Sequence, residues 1–460
     1  MDLSAVIHPL SRHFIRIKKL ILLVILISLI QPLHAQSDGE KLDEVMQAAV
    51  RADDFSGVVL VSRHDSILLA KGYGWRDYQH KVPHDTNSVF QIGSVTKQFT
   101  ATVILWLQEH HQLSVEDNLS AYFPQYAYAD KITIKNLLTH SSGIPGFDDA
   151  YFLEHQVTVH FSQNDFWDII RDKALDFDPG TEFHYSNSNY MLLGYIIEKV
   201  AGKPYEQMVR EVIFNKAGMT HSGFDFAHLK SPYRSVGYDS LNERVQIPAR
   251  IEDSSASFAA GAIYTTAGDL YRWNLALYTD KIVSQAALQE AFTPHLGNYG
   301  YGWFIDSMPG HRYMAHNGGI FGFETTFKRF PADHACIIVL CNELPGLHEY
   351  IMSVNQILYG GQGYYIPRKA TPIAPDSLSQ YTGHYQLTGK SFTGDISLKN
   401  GVLWLTWSGD RPYEIFAERK DGFFFKSFNC QLEFKRNANG RISGFTAHTS
   451  QQDFPYEKTD

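Results

Sequence analysis

The chain has 460 residues, of which 44% are hydrophobic and 14% aromatic, so it can bury one large core or fold as two domains. Its formal charge is −9, and no basic stripe with interleaved aromatic residues follows residue 20, which argues against nucleic-acid binding. The histidines and cysteines show no metal-ligand spacing. We therefore expect a protein that uses neither a metal nor another cofactor.

Residues 1–35 have the pattern of a signal peptide. Basic residues between positions 12 and 19 precede an apolar run, 20–30, and Leu33-His34-Ala35 forms a passable cleavage site. The apolar run is about 11 residues long, short of the ~20 that a stable membrane span needs. We expect an exported protein, periplasmic or secreted. An uncleaved N-terminal anchor is the alternative, because Leu33 is an imperfect residue at its place in the cleavage site.

The next segment begins with an amphipathic helix, predicted over 39–51. Two strands follow, 55–62 and 66–74, joined by a short hairpin turn. After them, the stretch Phe90–Thr100 leads into an apolar run, and together they predict a buried helix from Ser94 to about His111.

Ser94 and Lys97 are spaced i, i+3 at the start of this helix, so they lie on one face, a turn apart. The helix N-terminus adds aligned backbone N–H groups and the positive end of the helix dipole, which suit an anion forming at Ser94. This layout is typical of an acylatable serine. Serine is also a common N-cap and lysine is usually solvated, so the pair alone is weak support.

A second motif, Tyr185-Ser186-Asn187, precedes a helix predicted from Met191 to Val200 and ended by Gly202. It therefore lies in a loop or at a helix start, where side chains are available for chemistry. An Asx-type turn with a packed tyrosine is the alternative interpretation.

Antiparallel strands are predicted over 300–306, 312–316, 323–330 and 335–342, followed by a closing helix over 347–358. His316-Asn317-Gly318-Gly319 lies between two of these strands. Cys336 and Cys341 flank a buried strand on opposite faces, roughly 16 Å apart, too far for a disulfide. We expect buried free thiols.

Residues 361–375 are rich in proline and glycine and are interpreted as a linker. From 376 to 460, short alternating strands with turns every 8–12 residues predict a small all-β sandwich or barrel. The predicted organisation is a signal peptide (1–35), a large α+β domain (36–360), the linker and the β domain.

In this order, Ser94-x-x-Lys97, Tyr185-x-Asn187 and His316-Asn317-Gly318 resemble the three motifs of the penicillin-recognising serine hydrolases. The closest resemblance is to the class C β-lactamase-like group, which includes penicillin-binding proteins, D-alanyl-D-alanine carboxypeptidases, D-aminopeptidases and esterases. Leu137–Gly143 and Gly300–Trp303 are similar to this group as well, and the resemblance covers roughly 40–360. It implies a β-lactamase/transpeptidase-like fold, with an antiparallel sheet flanked by helices and an all-helical region. The C-terminal domain resembles the lipocalin-like appendages found behind such hydrolases.

Hydrolysis of an ester or amide needs a nucleophile, a base and an oxyanion site. Ser94 Oγ is the candidate nucleophile. Lys97 and Tyr185 are both candidates for the acylation base, since a phenol near an ammonium group has a lowered pKa and can pass the proton to the leaving group. Asn187 can hold Lys97 and donate to a substrate carbonyl.

The resemblance implies that the backbone N–H groups of Ser94 and Gly319 form the oxyanion site. Asn317 and Gly318 would bind substrate next to it, since glycine lets a substrate backbone lie close to the strand. His316, which the resemblance also places among the substrate-binding residues, stands where the lactamases have a lysine. A histidine is neutral about half the time near pH 6.5, which weakens the case for β-lactam turnover and for strict recognition of a substrate carboxylate.

The sequence predicts an exported serine hydrolase that cleaves small esters, amides or D-amino-acid peptides. A class C-type β-lactamase or D-Ala-D-Ala carboxypeptidase is one alternative, and a non-catalytic peptidoglycan- or penicillin-binding protein is another. The substrate is expected to be a small molecule or peptide, and nothing in the sequence indicates the oligomeric state. The C-terminal domain is hypothesised to shape or cover the substrate entrance.

Overall fold

The protein is represented by a computed structural model. It describes residues 36–52, 55–147, 157–241, 245–343, 348–360, 364, 366–425, 430–449 and 452–459. The predicted signal peptide, 1–35, lies outside the described residues. Within the described ranges, no helix is long and apolar enough to span a bilayer.

The larger domain mixes helices with antiparallel strands. Its helices are α1 (Asp38–Arg51), α2 (Thr96–Glu109), α3 (Ile134–Leu138), α4 (Gln163–Ile170), α5 (Asn187–Ala201), α6 (Tyr205–Val209), α7 (Asn215–Ala217), α8 (Ser254–Gly261), α9 (Ala267–Ala276), α10 (Gln285–Ala291) and α11 (His348–Tyr359). Its strands are β1 (Gly57–Arg63), β2 (Ser66–Tyr73), β3 (Trp75–Asp77), β4 (Val82–Pro83), β5 (Phe90–Gln91), β6 (Tyr238–Leu241), β7 (Gln246–Pro248), β8 (Tyr264–Thr265), β9 (Phe304–Met308), β10 (His311–Ile320), β11 (Phe323–Phe330) and β12 (Ala335–Cys341).

The central sheet has six antiparallel strands in the order β2-β1-β12-β11-β10-β9. Its middle strands are buried on both faces because alternate side chains enter two different cores. Val58 and Ile338 pack into the large core with α2 and α5, whereas Val59 and Ile337 pack against α1 and α11. This explains why β12 is apolar along its whole length.

The predicted buried helix is confirmed, but its start differs from the prediction. Gly93–Val95 forms a 3₁₀ turn, and the α-helix runs from Thr96 to Glu109. The helix lies at the centre of the large core, where Phe99, Val103 and Leu107 are fully buried. Ser94 is therefore in a tight turn that leads into a rigid helix.

Two predicted boundaries near the third motif are wrong. Gly300–Trp303 forms a turn, closed by the Gly300 N–H donating to Trp303 O at 2.8 Å, and the strand begins only at Phe304. His316–Gly319 lies inside β10 rather than between strands, because β10 stays paired with β11 as far as Ile320. The motif thus lies in a regular strand, in the part of β10 that continues past its pairing with β9.

The C-terminal region contains a short helix, α12 (Pro375–Leu378), and a closed antiparallel barrel. The barrel strands are β13 (Gly383–Leu387), β14 (Thr393–Lys399), β15 (Val402–Trp407), β16 (Pro412–Arg419), β17 (Gly422–Phe424), β18 (Cys430–Arg436), β19 (Ile442–Thr449) and β20 (Asp453–Lys458). Each strand pairs with the next, and β20 returns to β13. Tyr385, Leu405 and Phe445 are fully buried in its separate core. Of the two predicted architectures, the barrel is confirmed.

All three cysteines are free and buried, as predicted. Cys336 and Cys341 lie in β12 and enter opposite cores, as their spacing indicates. Burial raises the pKa of each of the three thiols.

Candidate active site

Lys97 is the centre of the candidate site. It is fully buried in the first turn of α2, and its Nζ lies 2.9 Å from Ser94 Oγ, 2.7 Å from Asn187 Oδ1 and 2.9 Å from Ala260 O. These partners come from three elements: the Gly93–Val95 turn, the first residue of α5 and the end of α8. The Lys97 amine therefore forms hydrogen bonds to three parts of the chain that are far apart in sequence.

The three contacts fit both protonation states of Lys97. Ala260 O can only accept, and Asn187 presents its carbonyl oxygen, so two N–H groups are needed in either state. An ammonium donates its third N–H to Ser94 Oγ, whereas a neutral amine offers a lone pair to the Ser94 hydroxyl. Of these three contacts, the one between Lys97 and Ser94 reverses direction when the proton moves.

Close backbone packing places β10 beside Ser94. Gly93 has a φ of +48°, and a Cβ atom at this position would lie 2.7 Å from Gly319 O. A Cβ atom at Gly318 would lie only 1.9 Å from Ile92 O and 3.1 Å from Ser94 N. Residues with side chains cannot pack this closely, so both glycines are required for the contact between the turn and the strand.

Tyr185 lies at the edge of a group of aromatic rings next to Lys97. Its ring centre is 4.8 Å from Lys97 Nζ and 4.3 Å from the His140 ring centre. The Tyr299 and His316 rings are 6.2 and 6.1 Å away. Tyr185 is partly exposed, and its sequence neighbour Ser186 is the N-cap of α5. The motif therefore lies at a helix start, one of the two places predicted, and the helix begins at Asn187 rather than Met191.

His140 was missed as an individual site residue, although its stretch was noted for its resemblance. It is fully buried with a φ of +53°. His140 O accepts from the His184 N–H at 3.0 Å, and Nδ1 accepts from the Ser186 N–H at 3.2 Å. Asn189 Nδ2 lies 3.2 Å from the same Nδ1. His140 thus binds the backbone on both sides of Tyr185. The signal in the sequence was the stretch Leu137–Gly143, which resembles the hydrolase group and is dense in turn residues.

His316 is a buried, neutral imidazole. Its Nδ1 lies 2.6 Å from Asn317 O, which can only accept, so Nδ1 carries the proton. Nε2 accepts from the Tyr299 hydroxyl at 2.9 Å. Burial and the charge of Lys97 lower the pKa of His316 to about 3. The expectation of half-neutral histidine near pH 6.5 is therefore wrong, because burial removes the solvation that a charged imidazole needs.

The neighbours of His316 are also uncharged. Burial, followed by the charge of Lys97, lowers the pKa of His140 well below its usual value. Burial raises the pKa values of Tyr190 and Tyr299 well above the usual value for a phenol. These groups form a neutral surrounding in which Lys97 is the basic group.

Ser94 lies at the junction of two clefts. One, here called the Tyr185 cleft, has a volume of about 620 Å³ and is lined by residues that include Tyr185, His316, Asn317 and Asp306. The other, here called the Glu252 cleft, has a volume of about 230 Å³ and is lined by residues that include Asn187, Glu252 and Gly319. Ser94 borders both, so a substrate carbonyl at Ser94 could extend in two directions.

The predicted residues Ser94, Lys97 and Asn187 are joined by hydrogen bonds, and Tyr185 and His316 lie next to them. Asn317 lines the Tyr185 cleft without a hydrogen bond to Lys97 among those described, and its Oδ1 accepts from Thr326 Oγ1 at 3.1 Å. No group of three or more His, Cys, Asp or Glu side chains that could hold a metal ion occurs among the described residues. The arrangement can activate a serine hydroxyl beside backbone N–H groups.

Comparison with known proteins agrees with this geometry. The Beta-lactamase family profile matches residues 42–354, and the profile of a domain of unknown function, DUF3471, matches residues 367–460. Penicillin-binding protein 4* of Bacillus subtilis is 29% identical over 430 residues, which cover 87% of this chain and 94% of the relative. The putative penicillin-binding protein PbpX of the same organism is 37% identical over 309 residues, which cover 66% of this chain and 74% of the relative.

Solved structures show the same fold. The octameric penicillin-binding protein homologue from Pyrococcus abyssi superposes with a TM-score of 0.65 at 21% identity, covering 91% of this chain and 99% of that chain. The D-amino acid amidase from Ochrobactrum anthropi SV3 has a TM-score of 0.62 at 21% identity, covering 70% of this chain and 99% of that chain. With a family profile that matches most of the chain and a fold shared with these structures, the chain belongs to the Beta-lactamase family and is a serine hydrolase.

Proposed function

We propose that this protein is an exported hydrolase that cleaves small esters, amides or D-amino-acid peptides through an acyl-enzyme on Ser94. The observation that carries the choice of substrate is His316, which is neutral and hydrogen-bonded on both ring nitrogens. A neutral imidazole cannot serve as the fixed cation that binds a substrate carboxylate. This favours esters and amides over β-lactams and C-terminal D-alanine peptides, both of which carry a carboxylate.

In the proposed acylation step, Ser94 Oγ attacks the substrate carbonyl carbon. The new Oγ–C bond forms a tetrahedral oxyanion, which the N–H groups of Ser94 and Gly319 would stabilise. The close approach of β10 to the Gly93–Val95 turn supports this pair of donors. The C–N or C–O bond then breaks, and the leaving amine or alcohol takes the proton that Ser94 lost.

Either Lys97 or Tyr185 can carry that proton. The reversible contact between Lys97 Nζ and Ser94 Oγ supports Lys97 as the first acceptor. The position of Tyr185 in the larger cleft supports it as the group that protonates the leaving group. Water then attacks the acyl-enzyme by the reverse sequence, releasing the acid and restoring Ser94. Asn187 would hold Lys97 throughout and donate to the substrate carbonyl through its amide nitrogen.

The test is a parallel assay of short p-nitrophenyl esters, a chromogenic cephalosporin and D-alanyl peptides, with Ser94→Ala as the control. We expect ester or D-amino-acid amide hydrolysis to exceed cephalosporin hydrolysis, and Ser94→Ala to abolish all of them. Efficient turnover of the cephalosporin alone would refute the interpretation of His316. Full activity in Ser94→Ala would refute the mechanism.

A penicillin-recognising function is the second candidate, and it is favoured by the names of the two Bacillus subtilis relatives. Mass spectrometry separates the two candidates. A long-lived penicilloyl adduct on Ser94, without turnover of esters or amides, would support penicillin binding. Rapid labelling of Ser94 by a fluorophosphonate, together with ester turnover, would support the hydrolase.

Export is part of the proposal and rests on the pattern of residues 1–35. N-terminal sequencing of the protein from a periplasmic or secreted fraction tests it. We expect the mature chain to begin at Gln36. Recovery of the intact chain in the membrane fraction would support the uncleaved anchor instead.

A further inference from the structure

The position of Tyr185 assigns the two clefts to the two halves of a substrate. In the proposed mechanism Tyr185 returns the proton to the leaving group, so the leaving group lies in the Tyr185 cleft. The acyl half is bonded to the same carbonyl carbon and extends away from it, into the Glu252 cleft, which begins at Ser94 and Asn187. The residues of the Glu252 cleft would therefore select the acyl group.

Glu252 places a carboxylate on this acyl side. Its exposed fraction is 8%, and it shares the cleft wall with apolar side chains that include Phe147, Val157 and Phe321. Apolar walls exclude water and strengthen the attraction between opposite charges relative to the protein surface. Such a wall favours a cationic group on the ligand and disfavours an anionic one.

The backbone at Glu252 is held by the same elements as the nucleophile. The next residue, Asp253, is the N-cap of α8, and its N–H donates to Val157 O at 2.8 Å. The other end of α8 supplies Ala260 O to Lys97. The segment 253–260, a helix kinked at Phe258 (φ +35°), therefore connects Glu252 to the carbonyl that holds Lys97, and it fixes Glu252 relative to the site as a residue that selects substrate requires.

Both formally charged side chains that line the clefts, among the residues the structure describes, are acidic. Glu252 and Asp306 are the formally charged residues among the described lining residues of the two clefts. Two basic side chains lie nearby. Lys97 contacts Ser94 and Asn187, and the guanidinium of the exposed Arg250 is 4.2 Å from the ring centre of Phe321. Arg250 opposes the effect of Glu252 on substrate choice, since its positive charge would favour an anionic acyl group.

We infer that Glu252 binds an amino group carried by the acyl half of the substrate, so that the preferred substrates are amides or esters of free amino acids. An ammonium within hydrogen-bond distance of this carboxylate would form a charge-assisted hydrogen bond. The assignment depends on the function proposed above, because only acyl transfer to Ser94 divides a substrate between the two clefts.

The first experiment compares matched substrates. D- and L-aminoacyl p-nitroanilides are assayed beside their N-acetyl and N-succinyl derivatives, and kcat/KM is measured for each. We expect the free amine to exceed the N-acetyl form by at least about tenfold, as for other buried charge pairs. Glu252→Gln keeps the shape of the side chain and removes its charge. In this variant the ratio of kcat/KM between the free amine and the N-acetyl form should fall close to one.

Asp253→Asn is the matched control. It changes the neighbouring carboxylate, and asparagine still caps a helix well. We expect Asp253→Asn to keep the wild-type ratio. An equal loss on both substrates in Glu252→Gln would overturn the inference, because it would indicate a purely structural role. Preference for the N-succinyl substrates, lost in Arg250→Gln, would overturn it in favour of the exposed cation.

A binding measurement separates this inference from the proposed function. Calorimetry on Ser94→Ala measures the affinity for D-phenylalaninamide and for its N-acetyl form without any turnover. Selective binding of the free amine, lost when Glu252→Gln is added to Ser94→Ala, supports the ammonium site. This holds even if the wild type hydrolyses none of the substrates, since that result would refute only the proposed function. Equal binding of both ligands overturns the ammonium site, whatever the wild type hydrolyses.

Discussion

In the proposed mechanism, two side chains share the proton transfers: Lys97 accepts the proton of Ser94, and Tyr185 protonates the leaving group. Lys97 is enclosed by three fixed partners, whereas Tyr185 is partly exposed in the cleft assigned to the leaving group. Tyr185→Phe removes only the hydroxyl, so the packing against His140 is kept. We expect kcat to fall by about 10²–10⁴, the usual contribution of general acid–base catalysis.

The measurement is steady-state turnover of a p-nitrophenyl ester and of an anilide. We expect kcat to fall further on the anilide than on the ester, because the amine leaving group of the anilide needs a proton more than p-nitrophenolate does. Wild-type kcat on both substrates in a folded Tyr185→Phe protein would remove Tyr185 from the mechanism and leave Lys97 as the sole proton carrier.

His140 is a positioning residue, since it binds the backbone at Ser186 and His184 rather than a substrate. His140→Asn keeps an acceptor at the place of Nδ1 and tolerates a positive φ, whereas His140→Leu does neither. We expect His140→Leu to lower kcat at least about tenfold with a shifted pH profile, and His140→Asn to restore part of the loss. Equal activity in the two variants would contradict the role.

At the level of elements, the site depends on how closely β10 approaches the Gly93–Val95 turn. Gly318→Ala would place a Cβ atom 1.9 Å from Ile92 O, so the strand must move away from Ser94. Overpacking of this kind costs about 1–3 kcal/mol of unfolding free energy. Because the proposed oxyanion donors lie on both sides of this contact, we expect kcat/KM to fall by about 10² or more.

Gly319→Ala is the control, since a Cβ atom there meets nothing within 4 Å. We expect its melting temperature to stay near that of the wild type, while Gly318→Ala melts lower. Thermal unfolding followed by circular dichroism, with ester turnover on the same samples, measures both effects. If Gly318→Ala and Gly319→Ala behaved alike, close packing at Gly318 would not be what positions Ser94.

The sequence was most informative where chemistry depends on local spacing. Ser94 and Lys97 are one helical turn apart, so their contact follows from helix geometry. Tyr185 and His316 required ordered motifs and a resemblance, because their proximity results from tertiary packing. The individual roles of His140 and Glu252 could not be predicted, since both depend on loops brought together from distant parts of the chain. The neutrality of His316 also follows from burial, which spacing does not encode.

At the level of the whole molecule, three buried histidines link stability to pH. Burial lowers the pKa values of His84 and His316 to about 3, and that of His140 well below its usual value. Below pH 6.5 the unfolded chain binds protons that the folded chain excludes, so stability falls as pH decreases. His84 and His316 should each remove about 2 kcal/mol of unfolding free energy between pH 6.5 and 5.

Urea denaturation between pH 7.5 and 5 measures this dependence. His84→Gln leaves the active site untouched and keeps a donor for Asn342 Oδ1, which His84 Nε2 contacts at 3.0 Å. We expect the variant to have a shallower pH dependence than the wild type. Curves of equal slope would show that His84 already carries its proton in the folded state.

The C-terminal barrel is predicted to shape or cover the substrate entrance. Every lining residue named for the two clefts lies between positions 93 and 321, so the barrel would have to act at the entrance rather than in the walls. If it covers the entrance, deletion of 376–460 should change the relative kcat/KM of small esters and longer peptides. An unchanged profile in a folded truncation would refute this hypothesis.

The three buried cysteines have a practical consequence. Each thiol is shielded by its core and kept protonated at neutral pH by its raised pKa, so the native protein should resist maleimides and similar labels. A single cysteine introduced on an exposed rim residue, such as Asp306, would then be labelled selectively without removing any native cysteine. A fluorophore attached there would report directly on occupancy of the Tyr185 cleft.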